Sequence, residues 1–73
     1  METLDLHGVK HEDVGRMLDK FFWENMQKNI GCVKIITGKS DEMKKIVNEV
    51  MIEYGFPYEE DWFNCGILNV TLL

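Results

Sequence analysis

The chain has 73 residues, 45% of them apolar and 29% charged, with a single proline. That supports one small globular domain over residues 1–73 and excludes both a disordered tract and an ordinary nucleotide-hydrolysing domain. No apolar run approaches the ~20 residues of a membrane span, METLDLHG lacks the basic-then-apolar profile of a secretory signal, and a net charge of −5 argues against simple nucleic-acid binding.

Residues 3–6 alternate, with Leu4 and Leu6 on one side and Asp5 and His7 on the other, which predicts a first strand. Residues 11–29 follow as a helix. Val14, Leu18, Phe21 and Met26 fall close to one face, widened by Met17, Phe22 and Ile30, and Gly31 is the expected stop. His11 falls in the first turn and reads as a surface residue, with a second histidine near a site as the alternative. Trp23, Phe21 and Phe22 read as core and flank residues rather than base-stacking groups. Residues 32–37, CVKIIT, form a β-branched apolar run and are predicted to be a central strand.

In the second helix Met43, Ile46, Val47, Val50, Met51 and Tyr54 make one apolar stripe. Ser40 is its N-cap, Asp41 and Glu42 suit its positive end, and Gly55 closes it ahead of Pro57. Residues 58–62 and 66–72 read as two short strands joined through Asn64 and Gly66. Trp62 and Phe63 are expected to pack against these last strands, and a partner surface on 59-EEDWF-63 is the alternative. Cys32 and Cys65 lack CxxC spacing and read as buried, reduced thiols of a cytoplasmic protein. A zinc site would need more ligands.

The excess charge is local. Residues 1–40 carry six bases and six acids, whereas residues 41–63 carry Lys44 and Lys45 against seven acids. The predicted fold is α/β with the order β-α-β-α-β-β. Its first strand–helix–strand unit makes a right-handed crossover between parallel strands. The ends of those strands, 5-DLHG-8 and 37-TGKS-40, therefore share one edge, where open α/β sheets bind ligands. Asp5 and His7 offer a carboxylate and an imidazole for proton transfer or for a divalent metal, Mg or Mn. The alternative is an ordinary polar strand face. Gly8 lets the backbone turn sharply. The TGKS turn joins a helix N-terminus to the Lys39 ammonium, which suits a phosphodiester, and Lys44 and Lys45 extend a basic patch. It is not an NTP-binding loop, because the glycine required five residues before Gly38 is Val33.

Taken together, 4-LDLHG-8, 35-IITGKS-40, 43-MKKIV-47 and 64-NCGILNVTL-72 resemble the Smr (small MutS-related) domain. The resemblance implies a two-layer sandwich, a four-stranded mixed sheet with two helices on one face. It also implies nucleic-acid endonuclease or nicking activity on DNA or RNA. The family's Asp-x-His pair falls on Asp5 and His7, as candidate catalytic residues. Its glycine loop falls on Thr37, Gly38, Lys39 and Ser40, as candidate phosphate contacts with Gly8, Lys44 and Lys45. This chain carries Ser40 in place of the loop's second glycine, and Asp41 and Glu42 follow it. Those departures support a second reading, a non-catalytic module for nucleic acid or protein. A third is an interaction domain with a protein partner or a second copy of itself.

Overall fold

The computed structural model describes residues 2–72. The element order is β1 (Glu2–Asp5), α1 (His11–Gln27), β2 (Cys32–Ile36), α2 (Asp41–Tyr54), β3 (Tyr58–Glu60) and β4 (Ile67–Thr71). The four strands make one mixed sheet in the order β1-β2-β4-β3. β1 and β2 are parallel, with Leu4 opposite Ile35, and β4 is antiparallel to both β2 and β3. β3 therefore runs parallel to β2. Both crossovers step the same way across the sheet, so right-handed connections put both helices on the same face.

That face is the core. Val14, Leu18 and Phe22 of α1 and Met43, Val47 and Met51 of α2 are buried against Leu6, Val33, Ile35, Leu68, Val70 and Leu72. The predicted α1 face is rotated slightly. Phe22 is the buried aromatic, Phe21 is half-buried, and Met26 is exposed. The stripe spaced 0, 4, 8 and 11 from Val14 through Leu18 and Phe22 to Asn25 faces the sheet instead. Asn29, not Gly31, terminates the helix. It takes φ 58°, and the Ile30 and Asn29 N–H groups donate to Asn25 and Met26 carbonyls at 3.0 and 3.1 Å, a Schellman closure. For α2 the expected signals hold: Ser40 Oγ accepts the Met43 N–H at 3.2 Å, and Gly55 closes the helix at φ 73°.

Further expectations about burial are corrected. Trp23, expected as a core or flank residue, is exposed. Cys32 and Cys65 are exposed free thiols. Cys32 opens β2 on the face opposite Val33, and no helix covers that face. Trp62 and Phe63 do not pack into the core. β3 stops at Glu60, and both side chains stand in solvent beyond it.

The two helices are joined by an aromatic cluster. Phe22 meets Tyr54 and Phe56 edge-on at 5.1 and 5.5 Å between centroids, and Tyr54 stacks on Phe56 at 5.2 Å. The Tyr54 hydroxyl donates to the Asp19 carboxylate. Burial, then the Asp19 hydrogen bond and charge, push the Tyr54 hydroxyl up to about 12. Folding raises this value, so the neutral hydroxyl favours the folded state below pH 10, and that contribution is lost as pH rises from 10 to about 12. Ultraviolet titration in a Tyr58→Phe background should show Tyr54 ionising near the upper value. Asp19→Ala should move it part of the way back, burial holding the remainder. An unmoved titration would remove Asp19 from the contact.

Candidate nucleic-acid interface

β1, β2 and β3 all end at one edge of the sheet, and β4 begins there. The first loop on that edge is built by Asp5 and Gly8. Asp5 Oδ1 accepts the backbone N–H of His7 at 2.8 Å, and the Val9 N–H donates to the Leu6 carbonyl at 3.0 Å. Gly8, third in that turn, has φ 79°, the signature of a type II turn that a side chain would strain. Leu6 is thereby anchored in the core while His7 is carried into solvent. Asp5 thus holds His7 through the backbone.

The second loop is clamped from below. The Thr37 and Gly38 N–H groups donate to the Gly66 carbonyl at 2.8 and 3.2 Å. The buried Thr37 hydroxyl lies 2.9 Å from the Gly38 carbonyl and 3.2 Å from that of Gly66. Gly38 takes φ 70°, and a Cβ added to it would lie 3.3 Å from His7 Cδ2. The edge of the His7 ring therefore lies beside Gly38, in the space a side chain there would enter, and the two motifs are neighbours. Gly66 packs against Gly38 so closely that a Cβ on it would meet the Gly38 carbonyl carbon and oxygen at 3.0 Å. The Asn64 side chain accepts the Gly66 N–H at 2.9 Å and holds this clamp. The sequence signal for it is Asn-x-Gly, which reads as a turn and as part of the family resemblance but does not by itself point to Gly38.

Between the loops lies a cleft of about 380 Å³, lined by Leu6, His7, Gly8, Val9, His11, Thr37, Lys39, Ser40 and Met43. The Thr37 and Gly38 amides are engaged by Gly66, which leaves the Lys39 ammonium and the start of α2 to face an anion. The Asp41 and Glu42 amides, first in that helix, have no intrahelical acceptor. His11 is exposed, as expected, and also lines the same cleft, as the alternative reading had it; its Nδ1 lies 3.6 Å from Glu42 Oε2. One of the two acids beside the cleft thus has an imidazole partner. Lys44 and Lys45 lie elsewhere, in a hollow of about 280 Å³ with Asn48, Tyr58, Glu60 and Leu68. Among the described residues no three His, Cys, Asp or Glu side chains cluster to hold a metal ion.

The third loop on the edge, between β3 and β4, is braced by Asp61. Its two carboxylate oxygens accept from Asn69 Nδ2 at 3.3 Å and from the Phe63 N–H at 3.1 Å. These bonds, the Asn69 one foremost, hold the Asp61 carboxyl below the usual carboxylate range.

The family model for the Smr domain matches residues 4–58, a span that includes both DLHG and TGKS. The chain belongs to the Smr domain family. The Smr family is linked to nucleic-acid binding and nuclease activity. The Asn64–Gly66 clamp and β4 lie beyond the matched span of this Smr domain. Neither the curated proteins nor the solved structures give a match to the chain. Among the described residues no helix is long and apolar enough to cross a membrane.

Proposed function

We propose that this Smr domain binds nucleic acid at the DLHG–TGK edge and cleaves phosphodiester bonds there. The observation that carries the reading is the His7 ring lying beside Gly38 in a cleft also lined by Lys39. An imidazole is thereby fixed beside a cation and a helix N-terminus, the groups that receive a phosphate. His7 takes the proton from the attacking hydroxyl or water. Lys39 and the first amides of α2 bind the non-bridging oxygens, and Asp5 positions His7 through its backbone. Asp5 and His7 supply two metal ligands at most, so a divalent ion at this edge would complete its shell with water and phosphate oxygens.

The test is cleavage of labelled single-stranded RNA and of duplex or branched DNA in Mg²⁺, Mn²⁺ or EDTA. Cleavage that survives EDTA and is lost in His7→Ala supports proton transfer by His7, and metal-dependent cleavage lost in both Asp5→Asn and His7→Ala supports the two as ligands. Binding without turnover in any condition would establish the second reading, a non-catalytic module. Ser40 in place of the second loop glycine, with Asp41 and Glu42 beside it, favours that reading. Lys39→Ala should weaken binding and reduce the slope of log affinity against log salt by about one. An unchanged slope removes Lys39 from the phosphate.

A further inference from the structure

Trp62 and Phe63 are 92% and 97% exposed, the two most exposed large apolar side chains among the described residues. Their loop is nevertheless fixed. The Asp61 N–H donates to the Ile67 carbonyl at 2.9 Å, and the Ile67 N–H donates to that of Asn64 at 3.1 Å. Asp61 Oδ2 accepts the Phe63 N–H from within the same turn. The loop ends at Gly66, which packs on Gly38. The strand order β1-β2-β4-β3 therefore sets three loops side by side along one edge: His7 first, the TGK turn next, the Trp-Phe loop last. Rigid display of two adjacent rings in water has no folding benefit, because neither is buried against the core.

We infer that the Trp62–Phe63 loop is a stacking platform for unpaired bases of a single-stranded nucleic acid whose backbone runs through the Lys39 cleft. This rests on the reading of that cleft as a nucleic-acid interface. The loop's position along the edge supplies the continuity. Glu59, Glu60 and Asp61 make the approach to this loop acidic, so it repels phosphates; stacking on a π face needs no charge and accepts every base, and it is the attraction left to these two rings. Base stacking here also requires the target to be unpaired, since a base inside a duplex has both faces covered.

The test measures fluorescence anisotropy in EDTA with labelled oligo(dT), oligo(U), an abasic strand of the same length, and a duplex. The chains compared are the wild type, Trp62→Ala, Trp62→Phe and Lys39→Ala. Trp62→Ala should weaken binding of the base-bearing single strands about 5- to 100-fold without changing the salt slope. Its affinity for the abasic strand and the duplex should match that of the wild type. Trp62→Phe should restore most of the loss, and circular dichroism should show every variant folded. If Lys39→Ala weakens binding but Trp62→Ala does not, the platform is overturned and the cleft stands. If the wild type binds none of the four probes, both readings fall. A wild type that self-associates in size-exclusion chromatography, with a monomeric Trp62→Ala of unaltered oligonucleotide affinity, overturns the platform and assigns the loop to protein contact.

Discussion

His7→Ala should lower cleavage by about 10²–10⁴-fold, the usual worth of a positioned general acid or base. Melting temperature and affinity for an uncut strand should barely move. The separation of effects follows from the site. The His7 side chain is exposed, and its structural partner is the Asp5 carboxylate on its backbone N–H, which alanine keeps. Surface substitutions without such partners stay within about 0.5 kcal/mol. Asp5 behaves differently under the same assay. Asp5→Asn retains an oxygen acceptor for the His7 N–H and should keep most activity, whereas Asp5→Ala releases the turn. If Asp5 instead bound a metal or charged the imidazole directly, Asn would be as damaging as Ala. Cleavage by His7→Ala at the wild-type rate would end the assignment.

Gly66→Ala should destabilise the fold. The new methyl would sit 3.0 Å from the Gly38 carbonyl carbon and oxygen, backbone atoms that cannot swing aside like a flexible side chain. Overpacking of this kind costs about 1–3 kcal/mol, and a domain of this size loses about 4–8 °C of melting temperature per kcal/mol. Because Thr37 and Gly38 donate to the Gly66 carbonyl, the shift also displaces the backbone beside which the His7 ring lies. Activity should therefore fall further than the folded fraction does. Gly15→Ala gives the opposite sign. A Cβ there meets nothing within 4 Å, and alanine in a helix interior is favoured by about 0.5–1 kcal/mol. Thermal denaturation of both variants tests the contrast, and a Gly66→Ala variant as stable as wild type would dissolve the clamp.

The element order was legible because each segment carries its own period. The stripe from Met43 to Tyr54, the Ser40 cap and the Gly55 stop are local signals, and α2 forms where they place it. The meeting of DLHG with TGKS followed from the handedness of one crossover. What failed was information that depends on layers and on distance along the chain. Cys32 was expected to be buried because its sequence neighbours are apolar, but it opens β2 on the face away from both helices and is exposed. Phe21 and Phe22 border the same stripe, and only the position of the sheet chooses between them. Trp62 and Phe63 show that an apolar residue is not thereby an interior one. The Gly66 clamp reaches Thr37 across 29 residues, beyond any local pattern.

That span has a kinetic corollary. The central strand pairs with β1 and β4, and β4 lies after α2, so its register requires closure of long chain segments before any ladder bond forms. A chain synthesised from its N-terminus exposes DLHG and TGKS well before Asn64 and Gly66 exist. Until β4 docks, the Thr37 and Gly38 amides lack the Gly66 carbonyl, and the seat of the His7 ring is unset. The DLHG–TGKS edge is thus assembled late, and a partly made chain carries both motifs without the clamp beneath them.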